Sequence, residues 1–332
     1  MKTITDNLTL NPYTAKLFDT YFGERSFAVF DIETTGLSTA KCKVILSGIL
    51  LRRGDNCEVI QYFANEVSDE KEIIEKTLEA LSSVDYIITY NGKHFDLPFM
   101  ETRAKKYGLC FQPPVYNLDL FLVIQGHSNL RQTLPNLKQK TVEIFMGLAS
   151  SRDDEISGGE SVALYEQYMQ SHAFALEKTI LLHNHDDLIQ LYKLLPVIAM
   201  TDFHRAMYKL GFLAGDMLIQ KISFHGRSLC VRGIQRKAPR DYIAFPTSEK
   251  PFSLTMDSRS GDFELNIPCT AQADALFFDA QAILDGNADP IKKYPSVVDG
   301  YLIAEDHGII NYMEINAFLL SFFQLLSVPA NQ

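Results

Sequence analysis

The sequence predicts a mixed α/β domain over residues 1–200, a five-stranded sheet flanked by helices, followed by a smaller β-rich domain over residues 201–332. Three observations predict it. Three strand-like runs follow one another before the first helical pattern. Strands and helices alternate after that. Beyond about Met200 short β-like runs dominate until a closing helix near residues 315–327. A doubly wound sheet would instead alternate strand and helix from the start.

The first run, SFAVFD from Ser26 to Asp31, is apolar and ends in an acid. Val44–Leu51 (VILSGILL) and Cys57–Ala64 (CEVIQYFA) are two further strands, split by the turn signal Arg53-Gly54-Asp55-Asn56. Strands joined by turns this short imply an antiparallel meander. From Asp69 to Leu81, apolar residues at Ile73, Ile74, Leu78 and Leu81 have helical spacing. Tyr86–Tyr90 reads as a strand. A helix starts near Asp96, with Asp96 as its N-cap and Pro98 accommodated in the first turn. Val115–Leu122 reads as a strand running into a helix, and helical patterns continue through Leu137–Met146, Ser161–Met169 and Phe174–Leu195. Between them, Ser151–Glu160 (SRDDEISGGE) is a loop by composition. In the last third, Leu229–Ile234, Phe252–Met256, Phe263–Ile267 and Tyr301–Ala304 are short strands between turns rich in Gly, Pro and Asp.

With 332 residues, 46% hydrophobic and 22% charged, the composition is that of a globular protein with room for two domains. The five cysteines are scattered without a CxxC pair, which points away from a disulfide framework and from a thiolate zinc site. The N-terminus lacks the apolar stretch of a signal peptide, and the longest apolar run, Ala317–Val328, is about half of the ~20 residues a membrane span needs. A cytoplasmic protein with no membrane partner is the expectation. The net charge of −10 argues against coating nucleic acid by bulk electrostatics. Between Leu218 and Arg240, however, Lys221, Arg227, Arg232, Arg236, Lys237 and Arg240 form a run with no acid among them. Arg232 and Arg236 are therefore candidate phosphate contacts, with a solvated strand face as the plain alternative.

Three short segments carry chemistry. Asp31-Ile32-Glu33 ends the first strand, where alternation places residues 31 and 33 on one face, about 7 Å apart. Two carboxylates so placed make a good seat for a divalent cation, although a DxE by itself equally describes an exposed turn. Asn91-Gly92-Lys93-His94-Phe95-Asp96 turns from a strand into a helix and delivers Asp96 to the helix start, where a cap is the plain reading. In His183-Asn184-His185-Asp186-Asp187, His183 and Asp187 stack at i and i+4 on one helical face. His185 and Asp186 turn away and are expected to face solvent.

Taken together, VFDIETTGLS, YNGKHFDLPF and HNHDDLIQL, in this order and at these distances, resemble the three exonuclease motifs of the RNase-H-like DEDD superfamily, and within it a bacterial branch of predicted exonucleases. LDLF around Asp119 and the stretch EIFMGLASSRDDEISGGESVALYEQYM look like the same branch. The resemblance covers roughly residues 26–198. It implies an RNase H-like fold and Asp31, Glu33, Asp96 and Asp187 as four metal-binding acids for two ions. Asp31 would bridge them, Glu33 and Asp187 would hold the ion that activates water, and Asp96 would act mainly through bound water. Hard oxygen donors imply Mg²⁺ or Mn²⁺. The third motif departs from the family: one subgroup has Tyr four residues before the last Asp, the other His five before it, and here His183 holds the tyrosine spacing. With an ordinary pKa of ~6.5, His183 suits a general base for the attacking water. Asp186, at i+3 from His183, is the alternative fourth acid. By the same resemblance Thr34, Thr35 and Leu37 would contact the terminal nucleotide. Asn91 would touch substrate or fix the turn, and Asp119 would be structural.

The function implied is a metal-dependent 3′→5′ exonuclease hydrolysing single-stranded DNA or RNA, with nucleic-acid 3′ ends as partner and the β-rich domain as accessory. A non-catalytic nucleic-acid-binding module retaining the fold is the alternative; retention of all four acids speaks against it. An internal nuclease for structured RNA would share the site.

Overall fold

The computed structural model describes the chain apart from residues 24, 54–55, 111–115, 149–150, 152, 154–157 and 328–332. The turn at 54–55, the expected strand start at Val115 and most of the loop before residue 158 therefore lie outside the described residues. The chain divides into two compact units, Met1–Thr201 and Asp202–Gln332.

In the first unit, β1 (Lys2–Thr9) and α1 (Lys16–Asp19) precede a meander of β2 (Phe27–Thr34), β3 (Val44–Arg53) and β4 (Asn56–Phe63). Then come α2 (Glu70–Ser82), β5 (Tyr86–Thr89), α3 (Asp96–Lys106), β6 (Tyr116–Asp119), α4 (Leu120–His127), α5 (Leu130–Thr133), α6 (Gln139–Phe145), α7 (Gly158–Ser171) and α8 (Phe174–Lys193). The strand order is β1-β4-β3-β2-β5-β6. β5 runs parallel to β2 and β6 parallel to β5, while the other pairs are antiparallel. The sheet is thus mixed, as the sequence predicts, but has six strands where five were expected. The extra strand, KTITDNLT, is mostly exposed and pairs, among the described residues, with β4 alone, Lys2 opposite Phe63. An edge strand held by backbone hydrogen bonds needs no apolar face, so nothing in its pattern announces it. α7 starts at Gly158, inside the segment expected to be loop.

One face of β2 packs Phe30 and Ile32 into a core with Ile73 and Ile74 of α2, Phe99 of α3 and Tyr165 of α7. Behind β2, Glu70 of α2 and Arg103 of α3 form a buried bidentate ion pair. Glu70 also accepts the Val44 amide at 2.9 Å and the Tyr107 hydroxyl at 2.7 Å. One carboxylate therefore ties two helices to the start of β3 and leaves no oxygen unsatisfied.

The second unit contains α9 (Phe203–Leu210), β7 (Phe212–Ala214), β8 (Met217–His225), β9 (Ser228–Gln235), β10 (Tyr242–Ala244), β11 (Ser253–Met256) and β12 (Asp262–Pro268). It continues with β13 (Thr270–Gln272), β14 (Ala275–Asp279), α10 (Ala280–Ile283), β15 (Val297–Val298), β16 (Tyr301–Asp306), β17 (Ile309–Ile310) and α11 (Tyr312–Ser327). One sheet has the order β10-β11-β12-β9-β8-β7; a smaller one is β13-β14-β16-β15 with β17 against β16. α11 joins them, Phe323 packing on Phe263 of β12 and Phe318 on Phe278 of β14. Among the described residues no helix is long and apolar enough to cross a membrane.

Candidate active site

β2 carries Asp31 and Glu33 on the face opposite Ile32, which enters the core. A bulge between Glu33 and Thr34 breaks the ladder with β3 just past these acids, the kind of irregularity that re-aims a side chain. α3 begins at Asp96, but Phe95 takes the N-cap position. The expectation of Asp96 as cap is corrected: its Oδ1 accepts the Ile32 amide at 3.1 Å, fastening the helix start to the strand that bears the other two acids. The turn before it is shaped by Asn91 at φ 65 and by Gly92, where a Cβ would come within 2.5 Å of Thr89. Asp119 holds this turn from below. It accepts the Asn91 amide at 2.8 Å and the Lys93 amide at 3.0 Å, and caps α4 through Leu122 at 3.3 Å.

α8 brings His183 and Asp187 to the same place. His183 Nε2 lies 3.6 Å from both Glu33 Oε1 and Asp187 Oδ2. Asp31, Glu33, Asp96, His183 and Asp187 all line one cleft of about 680 Å³. The acids are crowded. Burial, then the charges of Asp96, Asp187 and Glu33, push the Asp31 carboxyl well above its ordinary range, against the pull of a hydrogen bond from Asn184. Burial raises Glu33 to about 7, opposed by the neighbouring His183. Burial likewise raises Asp96 to about 7, opposed by the Ile32 amide. Carboxylates gathered out of water with too few cations of their own are a seat for a divalent ion. Donor atoms of Glu33, His183 and Asp187 lie within 4.8 Å of one another, close enough to share an ion, and the set is hard oxygen plus one imidazole nitrogen.

Asp187, not Asp186, faces the cleft. Asp186 is 5% exposed and accepts the Asp153 amide at 2.6 Å, and His185 Nε2 stands 3.2 Å from Asp6 of β1. The expectation that both face solvent is corrected: Asp186 is buried under the segment that carries Asp153, and His185 is half-buried against the edge strand β1. Thr34 and Leu37 line the cleft, Leu37 with 84% of its surface exposed. The Thr34 hydroxyl donates to the Gly36 carbonyl at 2.8 Å, while Thr35 Oγ1 accepts the Lys43 amide at 3.0 Å. Asn91 lines the cleft as well, its Oδ1 3.3 Å from His94 Nδ1. Two cleft cations, Lys138 and Lys140, escaped the sequence reading, although the run Leu137-Lys138-Gln139-Lys140 could have suggested them. Gln139 donates to the Asp187 carbonyl at 3.0 Å.

In the second unit, Arg232 is 56% exposed at its side chain and pairs with Glu264 at 2.8 Å. β12 lies next to β9 and sets that acid directly opposite. The Arg236 amide, just past β9, donates to the Asp216 carbonyl at 2.9 Å. A run without acids in the sequence is therefore not without acids in the sheet.

Residues 28–199 match the RNase_H_2 family, described as RNase_H superfamily. A DNA polymerase of Methanocaldococcus jannaschii is 51% identical over 43 residues, 13% of this chain and 3% of the polymerase. A DNA polymerase of Pyrococcus glycovorans is 35% identical over 97 residues, 26% of this chain and 12% of the polymerase. The chain thus corresponds to a small part of the length of these relatives. The solved family B DNA polymerase of Pyrobaculum calidifontis aligns with 90% of this chain and 46% of its own at 15% identity and a TM-score of 0.43.

Proposed function

The chain belongs to the RNase H superfamily, and from that premise we propose that it is a divalent-metal-dependent 3′→5′ exonuclease acting on single-stranded DNA or RNA. The observation that carries this reading is the meeting of Asp31, Glu33, Asp96, His183 and Asp187 in one cleft, from three separate elements. The kinship of short stretches with DNA polymerases supports a nucleic-acid substrate. So does resemblance to the DEDD exonucleases, whose acids fall on these four positions; the bacterial branch of that group is part of the proposal.

Mg²⁺ or Mn²⁺, two ions in this reading, would be held by Asp31, Glu33, Asp96 and Asp187, and would neutralise charge on the attacking and leaving oxygens of the phosphodiester. The chain's own residues do the rest. His183 Nε2 stands in the cleft 3.6 Å from Glu33 Oε1 and Asp187 Oδ2, too far for either to hold a proton on it, and as the unprotonated ring nitrogen it would take the proton of the attacking water. Leu37 packs against the terminal base, Thr34 and Asn91 line its approach, Lys138 and Lys140 draw the phosphate backbone to the cleft, and Thr35, which does not line it, shapes the loop through the Lys43 amide. Arg232 is set aside because Glu264 competes with phosphate for it, and Arg236, outside this cleft, is given no part in the reaction.

The test is a time course on 5′-labelled single-stranded DNA and RNA with Mg²⁺ or Mn²⁺. A ladder that shortens one nucleotide at a time from the 3′ end is the expected result and chooses the sugar. Fragments of internal cleavage would replace the exonuclease with an endonuclease. Binding without cleavage would replace it with a binding module.

A further inference from the structure

Asn184 is fully buried beside Asp31 and belongs to none of the acids. Its Nδ2 donates to Asp31 Oδ2 at 2.9 Å. On its other side Gln61 Nε2 donates to Asn184 Oδ1 at 2.9 Å and to the Leu181 carbonyl at 2.9 Å. The polarity of this chain of contacts is dictated from one end. A backbone carbonyl only accepts, so Gln61 must present its NH₂ there. The same NH₂ meets Asn184, which must answer with oxygen. Its own NH₂ is left facing Asp31, and the flipped amide would set an oxygen against a carboxylate.

The sheet is cut to admit this side chain. Asp31 of β2, Gly48 of β3 and Gln61 of β4 stand opposite one another in one row across three strands. Asn184 lies over the middle of the row, and a Cβ on Gly48 would come within 2.0 Å of its Oδ1. A glycine within an otherwise apolar strand and a buried glutamine within another are otherwise costly choices.

We propose that Asn184, locked by Gln61 over Gly48, is the positioning residue that sets the Asp31 carboxylate for cation binding. The inference rests on the metal-dependent reading above. A carboxylate turns readily about its last torsion, whose preference is broad. A donor on Oδ2 holds the group in one plane and leaves Oδ1 directed at the cleft. Supporting contacts of this kind are commonly worth ten- to a hundred-fold in metal affinity.

The test is Mn²⁺ binding to the full chain by calorimetry, for the wild type, Asp31→Asn, Asn184→Leu and Gln61→Glu, with thermal unfolding of each alongside. Gln61→Glu, when ionised, asks Asn184 for a donor and so draws the amide away from Asp31 without touching the cleft; it also sets an oxygen against the Leu181 carbonyl, so its affinity is read beside its thermal midpoint. The expected result is binding weakened on the order of ten- to a hundred-fold in both Asn184→Leu and Gln61→Glu, with folding retained. Equal Mn²⁺ affinity in the wild type and either folded variant overturns the proposal and leaves the metal-dependent reading standing. If the wild type binds no Mn²⁺, or binds it as well with Asp31→Asn, that reading falls and the proposal with it. A crystal structure of the wild type grown with Mn²⁺ decides the case even if both variants unfold: Asn184 turned away from Asp31 contradicts it.

Discussion

Glu33 and Asp96 are each raised to about 7 by burial, and in the unfolded chain both ionise at ordinary carboxylate pH. The folded, metal-free protein therefore holds protons that the unfolded chain has released. Stability from these groups is present at pH below about 4 and is lost as pH rises through about 7. In EDTA the thermal midpoint should fall between pH 5 and pH 8, and Mn²⁺ should restore it at pH 8, because bound cations favour the ionised acids. Glu33→Gln and Asp96→Asn should each flatten the fall; a midpoint equally steep in both variants would show that these acids do not cause it. For His183, replacement by Gln should lower the turnover rate by about 10²–10⁴-fold while leaving Mn²⁺ affinity nearly unchanged. Loss of Mn²⁺ affinity instead would make the imidazole a ligand. That Asp31, Glu33, Asp96, His183 and Asp187 come together in one cleft could be expected from sequence, because the order and spacing of their motifs resemble those of a known superfamily. Asn184 and Gln61 could not, since a buried amide is recognised only by the partners that folding gives it. The signals were present all the same, as a glycine and a glutamine in two apolar strands.

At the level of elements, the meander, β5, β6 and the long α8 follow from apolar periodicity and turn residues, which act locally. β1 does not, because an exposed edge strand is specified by the free edge of β4 rather than by its own side chains. β1 also half-buries His185 through Asp6, while Asp186 is buried through the Asp153 amide, a contact equally unmarked in any local pattern. The pair Glu70–Arg103 is another product of distance: α2 and α3 are far apart in sequence relative to a helix turn, and the pair joins them behind the strand that carries Asp31 and Glu33. Arg103→Met strands a carboxylate that is fully buried, and should cost about 3–5 kcal/mol of unfolding free energy by urea titration. A loss below about 1 kcal/mol would mean that water or another group replaces the arginine. Gly48→Ala should cost about 1–3 kcal/mol, since the strand and Asn184 cannot both keep their places.

Over the whole molecule, a net charge of −10 leaves little cationic surface for a phosphate backbone, and the basic run of the second unit is partly answered by Glu264 across the sheet. Affinity for single strands should therefore depend on the cleft and its cations more than on bulk charge. A plot of log affinity against log salt should have a slope no steeper than about −2, unchanged in Arg232→Glu. A steep slope that flattens in this variant would return the strip to a phosphate-binding role. The division into two compact units could be anticipated from the change of pattern near Met200. The acid opposite Arg232 could not, because strand pairing over thirty-odd residues is not written in any local run. Whether the four converging acids make a metal-dependent nuclease is decided by hydrolysis of a labelled single strand by the wild type and by the isosteric Asp31→Asn variant, with Mg²⁺, Mn²⁺ or EDTA. The expected result is cleavage by the wild type with either metal, none in EDTA, and a loss of more than about a hundred-fold in the folded variant, beyond what groups that only support a ligand contribute. Cleavage in EDTA, or a variant as active as the wild type, would contradict it.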